Sequence, residues 1–110
     1  MKTKSKALEA IREFNQVMDW EQFHTAENLA KSISIEAAEL LECFQWDNNY
    51  DPEATAEELA DVYSYVLMMA DELDVDLEEI TMKKLEKNKA KYPVEEFKGS
   101  SAKYNQLKKK

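Results

Sequence analysis

The chain has one glycine, Gly99, and two prolines, Pro52 and Pro93, in 110 residues. Sheets need tight turns, and tight turns draw on Gly, Pro and Asn-Gly pairs. A chain this poor in them is confined to helices. No internal repeat or low-complexity tract breaks the pattern, apart from the lysines at 108–110. The expected fold is therefore all-α, a four-helix bundle, in a single domain over residues 1–110. A polar, extended tail is expected from about residue 94.

The apolar spacing sets out the four helices. The first runs from about Ser5 to Met18, with Ala7, Leu8, Ile11, Phe14 and Met18 on one face. Residues 19–24 have no clean period and read as a loop. Thr25 is placed to cap a second helix that points Leu29, Ile33, Ala37, Leu40, Leu41 and Phe44 inward as far as about Trp46. Residues 47–52 are turn-rich. A third helix follows to about Leu73, with Thr55 and Glu58 spaced as a capping box. The fourth opens at Asp76, with Glu79 three residues on, and stops before Pro93.

Composition narrows the function. Apolar residues make up 44% of the chain, too many for a disordered acidic tail. No apolar run nears the roughly 18 residues of a membrane span, and no signal-peptide pattern is present, so no membrane partner is expected. Cys43 is the single cysteine, which excludes an intrachain disulfide and suits a reducing, cytoplasmic setting. A net charge of −8 has the wrong sign for nucleic acid. A polyphosphate can bind such a chain if something positive is added, such as a divalent metal.

The informative residues are those that break the amphipathic rule. At 100° per residue, Glu36 falls between Leu29 and Leu40, at the edge of the buried stripe, and Glu39 is its neighbour one turn along. The pair reads either as acids reaching solvent or as ligands. On the third helix, residues 59–70 are nearly apolar all round, which predicts burial on most sides. Asp61 is the one charge in that stretch, and a buried carboxylate needs a base, a hydrogen-bond network or a metal. Glu58 lies one turn earlier. Glu-x-x-Glu facing Glu-x-x-Asp brings together four hard oxygen ligands, which suit Mg²⁺ or Mn²⁺. With His24 the sole histidine, a di-iron or zinc site is poorly served.

On the fourth helix the stripe begun by Leu77 and Ile80 continues with Lys84, Asn88 and Lys91. This row reads either as a solvated face or as a place for phosphate oxygens. Trp20, Phe23 and His24 lie in the irregular segment, and Trp46 ends the second helix. Such aromatics pack cores, or stack on a planar ligand.

These residues resemble, in order and over almost the whole chain, the MazG-like nucleotide pyrophosphohydrolases, in particular their dCTP pyrophosphatase branch. The matching segments are Trp20-Glu21-Gln22-Phe23-His24 with Asn28-Leu29, Glu36-Ala37-Ala38-Glu39-Leu40 with Phe44-Gln45-Trp46, and Glu57-Glu58-Leu59-Ala60-Asp61-Val62. Lys84, Asn88, residues 91–94 and residues 98–104 are similar to the branch's C-terminal signature. The resemblance implies the all-α NTP pyrophosphatase fold, and Glu36, Glu39, Glu58 and Asp61 as catalytic residues that bind Mg²⁺. It implies hydrolysis of nucleoside triphosphates to monophosphate and pyrophosphate, as removal of surplus or non-standard dNTPs such as dCTP. Trp20, Phe23, His24, Trp46 and Tyr65 would surround base and sugar, with Lys84, Asn88 and Lys91 near the phosphates. A homodimer or homotetramer is implied too. The chain departs from the branch at Ile11, where a histidine stands, and at Glu27, where a basic residue is common. Base preference therefore does not carry over. The alternatives are a phosphoribosyl-nucleotide pyrophosphohydrolase and a non-catalytic acidic helical interaction protein.

Overall fold

A chain almost without glycine still has to turn, and two aspartates do the work. Asp19 and Asp74 adopt the left-handed conformation, at φ 56° and 55°, which Asp and Asn tolerate better than other side-chain-bearing residues. Each follows a helix that ends in the same double hydrogen bond. Trp20 N–H donates to the Asn15 carbonyl and Asp19 N–H to that of Gln16, while Val75 and Asp74 do the same to Ala70 and Asp71. This is the Schellman arrangement, usually closed by glycine.

The computed structural model describes residues 2–46 and 49–99. The described residues form helices and connecting turns, with no strand among them: α1 (Lys6–Val17), a 3-10 turn (Glu21–Phe23), α2 (Ala26–Glu42), α3 (Pro52–Leu73), α4 (Leu77–Lys91) and α5 (Val94–Phe97). The all-α class holds, and no helix is long and apolar enough to cross a membrane. The molecule divides into two units at Asp76/Leu77. The first holds α1 to α3 and the core, in which Leu8, Leu29, Leu67 and Ala70 are each at most 2% exposed. Burying a leucine from each of three helices stabilises their packing by about 1.5–3 kcal/mol per side chain. The second unit holds α4 and α5, so residues 94–97 are a short helix, not extended chain. The rest of the expected tail, residues 100–110, lies outside the described residues.

Several local expectations change. Ser5 and Thr25 cap α1 and α2 through their hydroxyls, as spacing predicted for Thr25. The second helix, however, stops at Glu42, short of Trp46. The Thr55/Glu58 capping box does not form. Asp51 caps α3 by accepting from Glu53 and Ala54 N–H, with Pro52 in the first turn, where its missing N–H costs nothing. Thr55 Oγ1 instead donates to the Asp51 carbonyl at 2.8 Å. The Glu58 carboxylate is thereby released from capping.

The buried stripes are also rotated from those expected. On α1 it is Leu8, Ile11 and Asn15 that face inward, while Phe14 and Met18 are exposed. On α2 the stripe is Leu29, Ile33, Glu36 and Leu40, with Ala37, Leu41 and Phe44 outside it. Glu36 thus sits within the stripe, not at its edge. On α3, Leu59 and Tyr63 are 56% and 52% exposed, so this helix is not covered on most sides by its own chain.

Candidate metal centre

The α2 and α3 stripes meet with carboxylates in them. One oxygen each from Glu36, Glu58 and Asp61 lie within 4.8 Å of one another. Glu36 and Glu58 are half-buried, and the Oε2 atom of each is inaccessible to solvent and has no hydrogen-bond partner. Oxygens in that position are expensive to leave unmet. Asp61 is exposed, against the expectation that it would be the buried acid. The reason is the open flank of α3 just noted. The orphaned acids are its two neighbours.

The electrostatics follow from crowding. The Glu36 carboxyl is raised to about 7, because it donates a hydrogen bond to Glu39, is desolvated, and feels the charges of Glu39, Asp61 and Glu58. Glu58 is raised by burial and then by Glu39, Asp61, Glu42 and Glu57. The Tyr65 hydroxyl, next in line on α3, is raised by burial and by Glu36, Asp61 and Glu39. Burial leads at Glu58 and Tyr65 and the Glu39 hydrogen bond leads at Glu36, and at all three the neighbouring carboxylates push the same way. Hard oxygen donors, two of them orphaned and half-buried, fit a divalent cation such as Mg²⁺. The structure therefore brings Glu36, Glu39, Glu58, Asp61 and Tyr65 together.

The aromatic candidates are more dispersed. The Trp20 ring meets Phe14 edge to face at 5.4 Å. Phe23 is exposed, and its carbonyl accepts from Asn28 Nδ2 at 2.9 Å, which pins the 3-10 turn to the start of α2. His24 is half-buried. Trp46 is 88% exposed, so core packing does not explain it. In the second unit, Lys84 and Lys91 are exposed and Asn88 is half-buried on α4.

Sequence reasoning missed a second polar feature of the first unit. A cavity of about 280 Å³ lies among α1, the 3-10 turn, α2 and α3, lined by Ile11, Asn15, Glu21, His24 and Met68 among others. Its wall carries an ion pair in which Arg12 Nε and Nη2 both donate to Asp71, at 3.1 and 2.5 Å. The signal that could have revealed it is Asn15, seven residues after Leu8 and hence on the same buried face.

Residues 31–107 match the MazG-like family. The chain is 38% identical to dCTP pyrophosphatase 1 of Mus musculus, over 91% of this chain and 67% of that protein. It is 37% identical to dCTP pyrophosphatase 1 of Homo sapiens with the same coverage. The fold is similar to the crystal structure of a pyrophosphatase from Archaeoglobus fulgidus, with a TM-score of 0.69 and 43% identity, over 78% of this chain and 88% of that one.

Proposed function

This chain belongs to the MazG-like family, in its dCTP pyrophosphatase branch, and on that premise we propose that it is a Mg²⁺-dependent pyrophosphohydrolase converting (d)NTPs to (d)NMP and pyrophosphate. Its class, a nucleoside triphosphate pyrophosphatase, follows from the relatives and the structural neighbour. The observation that carries the finer reading is the pair of orphaned, half-buried oxygens of Glu36 and Glu58 beside Asp61. An interaction protein with merely solubilising acids has no use for carboxylates turned inward.

In this reading Glu36, Glu39, Glu58 and Asp61 hold Mg²⁺, with Mn²⁺ as a substitute. When bound, the cation supplies positive charge that makes water more acidic and offsets the charge of the phosphate oxygens. One glutamate of the cluster accepts the proton of the water that attacks the α-phosphorus. Pyrophosphate leaves, its charge met by Lys84, Asn88 and Lys91. Trp20, Phe23, His24, Trp46 and Tyr65 surround base and sugar, and the exposure of Phe23 and Trp46 supports their availability. The setting is cytoplasmic and the role is clearing surplus or non-standard dNTPs. The exposed Ile35, Leu41, Leu59 and Tyr63 of α2 and α3 support assembly as a homodimer or homotetramer. Light scattering of an active 12.8 kDa monomer would remove that part.

The decisive experiment is a screen of dNTPs and modified dNTPs in ¹⁸O-labelled water, detecting pyrophosphate and phosphate separately. Label in the nucleoside monophosphate, with pyrophosphate released, supports the reading. Label in inorganic phosphate means attack at the γ-phosphorus and overturns it.

A further inference from the structure

The 3-10 turn that presents Phe23, flanked by Trp20 and His24, has little packing to hold it. None of its three residues is buried, and Phe23 is 58% exposed. Apolar burial does not fix so open a segment, so its hydrogen bonds decide where its side chains stand. The backbone closes the turn on itself, with Phe23 N–H donating to the Trp20 carbonyl at 2.9 Å and His24 N–H to that of Glu21 at 3.1 Å. Gln22 Nε2 holds the entry, donating to the Asp19 carbonyl at 3.0 Å and to its carboxylate at 3.1 Å. None of these bonds reaches α2.

His24, at φ −94° and ψ 58°, and Thr25, at φ −75° and ψ 161°, form an irregular link between the turn and the helix. Asn28 spans that link. Its Nδ2 donates to the Phe23 carbonyl at 2.9 Å, and its backbone N–H donates to Thr25 Oγ1 at 3.2 Å. Among the described residues, the amide makes the one side-chain hydrogen bond from α2 back to the turn. From there α2 runs unbroken to Glu42. Glu36 lies two turns beyond Asn28 on it, about 12 Å along the axis. One rigid element thus joins the amide to the carboxylate cluster.

We propose that Asn28 is a positioning residue for nucleotide binding: it ties the turn to α2, so that Phe23 and His24 stand at a fixed distance from the acids. The inference rests on the hydrolase reading above and adds to it what keeps the side chains around base and sugar in place. A turn already held in its binding position costs less to order when the nucleotide arrives. Asn28 acts through Phe23 and His24 and needs no contact of its own with the reacting phosphorus. Losing the tie weakens ground state and transition state alike, which raises KM and spares kcat.

The test measures KM and kcat on dNTPs with Mg²⁺, in wild type and in Asn28→Asp and Asn28→Ala. Aspartate keeps the shape but has no N–H to give, and the helix dipole favours a carboxylate in the first turn, so the fold survives. Alanine removes the donor without adding charge. In both variants KM should rise about fivefold, with kcat within about twofold of wild type and the melting temperature within about 3 °C. In the metal-free protein, amide hydrogen exchange at Phe23 and His24 should quicken by a similar factor, while Leu29 keeps its rate. An unchanged KM in Asn28→Ala, or a kcat that falls only with the folded fraction at constant KM, overturns the inference and leaves the hydrolase standing. Failure of the wild type to release pyrophosphate from any dNTP overturns both.

Discussion

Asp71 and Glu36 set the same problem at two places in one helical unit, a half-buried carboxylate on a helix that also carries the core, and they are treated differently. Asp71 meets the fork of Arg12, and its carboxyl is held below the ordinary range by that hydrogen bond. Glu36 meets Glu39, Asp61 and Glu58, and its carboxyl is pushed up to about 7. The first acid is answered within the chain and stabilises it. The second is surrounded by like charge and taxes the fold until a cation arrives. A carboxylate's partner, more than its burial, separates a structural acid from one kept for chemistry.

The widest contrast is expected at Asp61. Asp61→Asn keeps the shape and removes a charge, so turnover per folded molecule should fall about 100-fold or more if it holds the metal. The metal-free variant should melt at or above the wild-type temperature, because a repulsion has been removed. A variant less stable without metal yet still active per folded molecule would move Asp61 to the structural side.

Cation addition comes next. Mg²⁺ at 100 times its Kd should stabilise the protein by about 2.7 kcal/mol, and NaCl at matched ionic strength should do much less. Equal shifts in melting temperature from the two salts would erase the distinction between the two regions. The same melts, run against pH without metal, separate the acids by sign. Glu36, raised from 4.5 to about 7, costs nothing below pH 4.5 and destabilises progressively as pH rises to 7. Asp71, lowered from 3.8, contributes fully above that value and loses its contribution as pH falls through its folded pKa. Metal-free stability should therefore peak on the acid side of neutrality. Saturating Mg²⁺ should flatten the decline toward pH 7 and leave the acid limb untouched.

A smaller effect is expected from the paired acid. The Arg12 and Asp71 side chains are 37% and 29% exposed, so Asp71→Asn should cost only about 1 kcal/mol in denaturant melts. Glu36→Gln should shift metal-free stability the opposite way. Two changes of the same sign would mean that the regions do not differ. The smallest effect is at a turn belonging to neither. Asp74→Gly relieves left-handed strain but frees the unfolded chain, for a net gain of a few tenths of a kcal/mol.

Much of this is legible in the sequence. The Thr25 cap is local chemistry, and the adjacency of Glu36 with Glu39 follows from a helical repeat that adjacent residues enforce. Less legible was which of several acids would be buried. Asp61 looked buried because residues 59–70 are apolar, yet Leu59 and Tyr63 face outward in the single chain. Glu58 looked occupied by a capping box until Asp51 and Pro52 took over the start of α3. Asn15 is not legible from apolar spacing, because a stripe through Phe14 and Met18 lies about 100° round the helix from it, less than a third of a turn.

The sequence by itself determined the helical class, the order of the helices and the two acidic motifs. Each depends on neighbours within four residues, or on the absence of turn-forming residues. Only the tertiary structure decided which face of each helix is inside, because that depends on how three amphipathic stripes fit together and not on any one of them. From that choice come the orphaned oxygens of Glu36 and Glu58, the Arg12–Asp71 pair across 59 residues of chain, and the cavity that holds the Asn15 amide. Periodicity places a side chain on a helix; packing decides whether water, a neighbour or a ligand must satisfy it.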